Sequence, residues 1–301
     1  MPALQGTFTV MVTPFSEDGR QIDEDAIKRF VEWQIHHGVH GLIPVASTGE
    51  FLSLTDAERR QVAKLVIEQV DGRIPVLIGA GAENTWDVVR YSREAEDLGA
   101  DGVLIIPPFY STPNDDELYE HYAAVGNAIS IPIMLYNNPA TSNVDMLPPL
   151  VARLSEIDNV SYIKESTMDA TRVRDILRLS DGRMSVFGGI MGYESFMNGA
   201  TGWTAVGCNL MPAEFSDLYR LCVESQDMNA ASALYDRIKP VIDLVGGNRY
   251  VGATKAALGM MGLPVGPPRP PRLPARDHLH DWVRRVVDDL ELHFDGPPAS
   301  D

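Results

Sequence analysis

Gly102-Val103-Leu104-Ile105-Ile106-Pro107 opens the stretch that decides the fold. A helical pattern over 115–129 follows, and then Ile131-Pro132-Ile133-Met134-Leu135-Tyr136-Asn137. Neither apolar run alternates strictly with polar residues, so each reads as a strand buried on both faces, as a covered parallel sheet requires. The segment between them is long enough for a helical crossover, which parallel neighbours need.

The same unit repeats in both directions. Toward the N-terminus, strands are expected at Gly6–Phe15, Gly41–Ala46 and Pro75–Gly79. Helices over 24–36, 55–70 and 84–98 separate them, with Asp23 and Thr55 placed as N-caps and Glu58 completing a capping box. Toward the C-terminus come a helix over 147–154, a strand at Val160–Thr167, a helix over 170–179, a strand at Met184–Gly189, a short helix over 193–198 and a strand at Gly202–Gly207. Eight strand-helix units predict a closed (β/α)8 TIM barrel. An open doubly wound sheet would have fewer strands and an early glycine-rich phosphate turn. No G-x-G-x-x-G follows the first strand, and no G-x-x-x-x-G-K-[ST] occurs.

Beyond residue 210 the pattern is helical: 212–224, 228–244, 250–261 and 276–292, interrupted by the proline-rich run 264–274. The expected organisation is a barrel over 1–210, a C-terminal helical extension over 211–294 packed on it, and a flexible tail over 295–301.

The chain has 301 residues and a formal net charge of -17. Such a surface repels nucleic-acid phosphate and anionic lipid, so neither is an expected partner. Only Cys208 and Cys222 are present, too few for a disulfide framework in so long a chain. The start, Met1-Pro2-Ala3-Leu4, lacks the basic and apolar regions of a signal peptide, and no apolar run approaches the roughly 20 residues that span a bilayer. A cytoplasmic location is expected.

In a barrel of this kind the active site lies at the C-terminal ends of the strands. Those ends carry Ser47-Thr48-Gly49-Glu50, then Phe109 and Tyr110, Tyr136-Asn137-Asn138-Pro139, Lys164 and Ser166, and Gly188-Gly189. Lys164 stands where a buried strand usually has an aliphatic residue. Alone it reads first as a solvated strand-end lysine. Beside two tyrosines and a Ser-Thr-Gly turn it reads as an amine of lowered pKa that condenses with a carbonyl. Ser47 and Thr48, with the N–H groups beside Gly49, can cradle a carboxylate. Tyr136 can relay a proton.

Ser47-Thr48-Gly49-Glu50, Tyr136-Asn137-x-Pro139 and Ile163-Lys164-Glu165-Ser166, in this order, resemble the dihydrodipicolinate synthase / N-acetylneuraminate lyase family over nearly the whole chain. The resemblance implies a carbon-carbon lyase of the class I aldolase type, acting on pyruvate or another 2-oxo acid and an aldehyde. It implies no cofactor and no metal. Carried over by position, Lys164 is the Schiff-base lysine, Tyr136 the acid/base, and Ser47 and Thr48 the pair at the carboxylate and in the proton relay. Tyr110 matches a tyrosine that reaches into a neighbouring subunit, which implies a homotetramer built as a dimer of dimers.

Four positions depart from the family pattern. Thr141 stands where the synthases carry an arginine for the second substrate's carboxylate, and threonine cannot make a bidentate charged pair. Ile190 and Met191, after Gly189, replace the acidic pair that holds a polyol in the sialic acid lyases. Glu83 replaces an asparagine of the lysine-inhibited synthases, so no inhibition by lysine is expected. A 2-keto-3-deoxy sugar-acid aldolase or dehydratase and a hydratase-aldolase therefore stand beside the dihydrodipicolinate synthase-like reading. A catalytically retired binding barrel is the alternative outside enzymes. Glu50 and Glu165 are read as structural, His36, His37 and His40 as a surface group away from the site, and Cys208 as a small buried residue.

Overall fold

A computed structural model of the chain describes residues 3–295. Eight parallel strands form its centre: β1 (Gly6–Val10), β2 (Gly41–Ile43), β3 (Leu77–Gly79), β4 (Gly102–Ile105), β5 (Ile133–Asn137), β6 (Val160–Glu165), β7 (Ser185–Gly188) and β8 (Gly202–Ala205). Their order is β2-β1-β8-β7-β6-β5-β4-β3. The circle closes between its two ends, where Leu42 and Val76 form a parallel bridge and Gly79 N donates to Pro44 O. A Cβ on Gly79 would stand 2.2 Å from Val45 O, so only glycine lets β3 approach this closely. This is a TIM barrel.

Between the strands run α1 (Glu24–His36), α2 (Asp56–Val70), α3 (Thr85–Asp97), α4 (Asp115–Gly126), the single turn α5 (Pro139–Ser142), α6 (Pro148–Leu154), α7 (Arg172–Leu179) and α8 (Gly192–Met197). Local signals start several of them. Asp23 accepts from Ala26 N, and Asn84 accepts from Asp87 N. Thr55 with Glu58, and Asn114 with Glu117, form reciprocal capping boxes that satisfy helix-end N–H groups. The strands are shorter than their apolar runs. β1 stops at Val10 because the chain then leaves the sheet: Val12 N donates to Asn209 Oδ1, and Phe15 N to Val265 O.

The C-terminal extension comprises α9 (Pro212–Tyr219), which loosens into a π-helical turn over Arg220–Glu224, then α10 (Met228–Val245), α11 (Tyr250–Met261) and α12 (Asp277–Asp289). α9 packs on the barrel, with Thr7 Oγ1 donating to Phe215 O. The proline-rich run forms a strap that crosses to the loops after β1 and β2. Its anchor is Arg269, which pairs with Glu58 at 2.6 Å, donates to the carbonyls of Gly19, Arg20 and Ser53, and gives its N–H to Glu50 Oε2. Asp295 begins the stretch expected as a tail, yet it accepts from Trp33 Nε1 at 2.9 Å. Residues 296–301 lie outside the described residues. His40 is half-buried and is no free surface group: its Nδ1 accepts from Thr7 N, and its ring packs on Tyr219.

Candidate active site

The inward face of β6 carries Tyr162 and Lys164 in succession. Tyr162 faces the far end of the barrel, where its hydroxyl accepts from Leu4 N and its ring meets Phe187. Lys164, two residues on, is 5% exposed. In the β5–β6 register it stands opposite Tyr136, and its Nζ lies 4.2 Å from the centre of the Tyr136 ring. Burial lowers the pKa of Lys164 to about 7. The ammonium loses its hydration and gains no carboxylate in return, so the neutral amine is favoured.

Burial acts in the opposite sense on Tyr136, whose pKa is raised because the phenolate would be desolvated. Asn138 Nδ2 donates to its hydroxyl at 3.0 Å, and the hydroxyls of Ser166 and Ser47 lie close by. Ser166 Oγ is buried and has no fully formed hydrogen bond. Gly189 makes room for it, since a Cβ there would stand 1.7 Å from Ser166 Oγ. Trp203 Nε1 donates to Gly189 O and holds that backbone in place.

The Ser47-Thr48-Gly49-Glu50 turn closes on itself through Glu50 N donating to Ser47 O, with Glu50 at φ 60°. Thr13 Oγ1 ties the turn to the chain after β1 by donating to Gly49 O at 2.7 Å. Thr48 is buried and Ser47 half-buried. Neither glutamate beside the motifs points at the amine. Glu165 accepts from Asn137 Nδ2 and Thr167 N, which locks the ends of β5 and β6 together. Glu50 is held by Lys255 at 2.7 Å. Cys208 is fully buried, and burial pushes its thiol pKa up, away from nucleophile chemistry.

Tyr110 and Thr141 stand apart from the amine. Tyr110 is 88% exposed on a loop that Glu83 fixes. Glu83 accepts from three successive backbone N–H groups, Phe109 at 2.9 Å, Tyr110 at 3.0 Å and Ser111 at 2.7 Å. Thr141 is exposed and spends its hydroxyl on Asn138 O at 3.2 Å. Ile190 is exposed as well. Tyr250 and Lys255, both on α11, were not anticipated, although a lone lysine in an otherwise apolar helix was a visible signal. The phenol of Tyr250 lies beside the Thr48 hydroxyl.

The arrangement supplies a dry amine that is about half neutral at pH 7, a protonated phenol over it, and a hydroxyl-lined turn. It can condense with a carbonyl and move protons at the resulting carbinolamine. Among the described residues no group of three or more His, Cys, Asp or Glu could hold a metal ion, and no helix is long and apolar enough to cross a membrane. A larger groove of about 920 Å3, lined by Trp86, Arg90 and Arg93, lies on the outer helices and not at the strand ends.

A profile of the Dihydrodipicolinate synthetase family matches residues 3–290. The chain is 35% identical over 289 residues to a 4-hydroxy-tetrahydrodipicolinate synthase of Syntrophobacter fumaroxidans, covering 92% of this chain and 98% of that one. Among solved structures it is similar to a chloride-inhibited dihydrodipicolinate synthase of Acinetobacter baumannii complexed with pyruvate, with a TM-score of 0.93 and 30% identity. That match covers 96% of this chain and 100% of the other. A monomeric dihydrodipicolinate synthase variant superposes with a TM-score of 0.92 at 29% identity, covering 96% of this chain and 97% of its own.

Proposed function

The chain belongs to the dihydrodipicolinate synthetase family, and we propose that its reaction runs through an imine between Lys164 and pyruvate or a related 2-oxo acid. It is a lyase, dihydrodipicolinate synthase-like, of the class I aldolase type. The observation that carries the imine reading is Lys164 itself, 5% exposed, with its Nζ 4.2 Å from the centre of the Tyr136 ring.

The steps follow from these groups. Ser47, Thr48 and the turn N–H groups receive the carboxylate. The neutral Nζ adds to C2, an N–C bond forms, and the carbonyl oxygen takes a proton. Tyr136 gives a proton to the carbinolamine hydroxyl, which leaves as water, and the iminium remains. The Tyr136 phenolate so formed takes a C3 proton and leaves an enamine, whose C3 bonds to the aldehyde carbon while Tyr136 passes that proton to the aldehyde oxygen. Water then returns to C2 and frees the amine. No cofactor enters.

For the second substrate, the position of Thr141 favours an aldehyde without a distal carboxylate, because its hydroxyl is occupied by Asn138 O and carries no charge. That supports a hydratase-aldolase or a 2-keto-3-deoxy acid enzyme as the second reading beside 4-hydroxy-tetrahydrodipicolinate synthesis. The exposure of Tyr110 supports its acting in a neighbour's site, in a homotetramer of paired dimers. Two free cysteines are in keeping with the cytoplasm. Borohydride treatment with pyruvate tests the core of the reading. It should leave a stable pyruvate-derived mass on the peptide containing Lys164, and a folded protein that acquires none refutes it.

A further inference from the structure

Asn138 stands at the junction between β5 and α5, one residue past the end of the strand and just before Pro139 begins the turn. An asparagine in that place ordinarily folds its side chain back to accept from the N–H groups of the turn. Asn138 makes no such bond. Its backbone carbonyl does that work instead. It accepts from Thr141 N and Ser142 N at 3.0 Å, and from the hydroxyls of Thr141 at 3.2 Å and Ser142 at 3.0 Å. Pro139, at the first position of the turn, has no N–H to satisfy. The side-chain amide of Asn138 is thereby released from the turn.

The released amide goes to the phenol. Asn138 Nδ2 donates to Tyr136 Oη at 3.0 Å, and among the described residues this is the one hydrogen bond that the Asn138 side chain makes. Its Oδ1 is buried without a partner. A buried acceptor left unpaired costs stability, and nothing in the fold of α5 requires it. A local rule broken in this way marks a residue held for the site rather than for the turn. The phenol it reaches is the one that stands opposite Lys164 in the β5–β6 register, with Nζ 4.2 Å from its ring centre.

We propose that Asn138 is a positioning residue for the acid/base: its amide donates to Tyr136 Oη, which leaves the phenol's own proton free for the carbinolamine and steadies the phenolate that remains once that proton is given. A phenol both donates and accepts. With Asn138 on its acceptor side, Tyr136 keeps its donor for the substrate. Burial opposes the phenolate, and the Asn138 N–H favours it. A hydrogen bond to an ionised oxygen is stronger than one to a neutral hydroxyl. The contact therefore strengthens as the proton leaves, which is the condition for accelerating the step. Its polarity is essential. A group that could only accept would draw the phenol proton toward itself and hold it back from the substrate. The two residues lie two positions apart on one chain, so the contact forms in cis.

The inference rests on the imine reading, and its test separates the two. Deuterium exchange at C3 of pyruvate, followed by NMR, needs no aldehyde. In Asn138→Leu we expect exchange to slow by about tenfold to a hundredfold, the weight of one hydrogen bond to a charged oxygen. The half-saturating pyruvate concentration should stay within about threefold, as for an interaction made only in the transition state. The pH midpoint for forming the borohydride adduct at Lys164 should not move, because the amine is untouched. Asn138→Asp keeps the shape and reverses the polarity, and it should exchange no faster than Asn138→Leu. Thermal melts followed by circular dichroism check the fold of both variants. Wild-type exchange in Asn138→Leu, or faster exchange in Asn138→Asp than in Asn138→Leu, would overturn the proposal. So would a rise in half-saturating pyruvate that accounts for the whole loss, a moved adduct midpoint, or a loss of exchange that follows loss of fold in both variants. Absence of the adduct in the wild-type protein would instead refute the imine reading, and this inference would fall with it.

Discussion

Replacing Lys164 by methionine should stabilise the protein, and by an amount that depends on pH. Burial holds the Lys164 pKa near about 7, against 10.5 for the free side chain. At about 1.4 kcal/mol per pH unit, the folded state disfavours the ammonium by about 5 kcal/mol. The sign follows from proton counting. Above the folded pKa the native amine is neutral while the unfolded lysine is still protonated, so the unfolded state binds more protons and native stability rises with pH. The penalty is complete below the folded pKa, shrinks through the window from about 7 to about 10.5, and is gone above it. Lys164→Met removes this term at every pH. Its gain over the wild type is expected to shrink by about 2 kcal/mol between about pH 7 and pH 9. The constant contribution of the new methyl group cancels in that difference. Urea unfolding of both proteins across this range, with unchanged m-values, measures it. A stability difference that stays flat with pH would mean that Lys164 is hydrated in the folded protein, and the account of its nucleophilicity would fail with it.

Three further outcomes follow. Thr141→Arg would place a guanidinium at a position that now carries a hydroxyl bound to Asn138 O; kcat/KM for aspartate semialdehyde should rise by about tenfold or more, and no change would mean that this position does not choose the aldehyde. Either Glu50→Gln or Lys255→Met alone should cost about 3–5 kcal/mol by orphaning a buried charge. The double variant Glu50→Leu/Lys255→Met should recover most of that stability in thermal melts, because neither buried charge is then left without its partner. Burial raises the pKa of Glu83, but hydrogen bonds from Ser111 and the Phe109 and Tyr110 N–H groups outweigh it and leave a net lowering. Those bonds therefore contribute stability that is present at neutral pH and lost as pH falls through the folded pKa. Saturating lysine should leave turnover unchanged in the wild type, and a halving of the rate would refute the view that this carboxylate is committed to its own loop.

The barrel was legible because its determinants are local. Capping boxes at Thr55 and Glu58, and at Asn114 and Glu117, lie within one helical turn, and the apolar runs show their burial without reference to any partner. Lys164 and Tyr136 were legible for a related reason: a strand end in a repeated unit has one possible place, the mouth of the barrel. What the chain by itself could not display was cancellation at a distance. Glu50 read as a structural carboxylate with no partner in view, and Lys255 was the lone charge in an apolar helix. Only the tertiary structure shows that they neutralise each other across the fold at 2.7 Å. Ion pairing of this kind has no sequence period, since it depends on which surfaces the strap and α11 bring together. The sequence by itself therefore determined the barrel and put the Lys164 amine at its mouth. The tertiary structure alone decided how dry that amine is, and which helix from outside the barrel stands against the carboxylate turn.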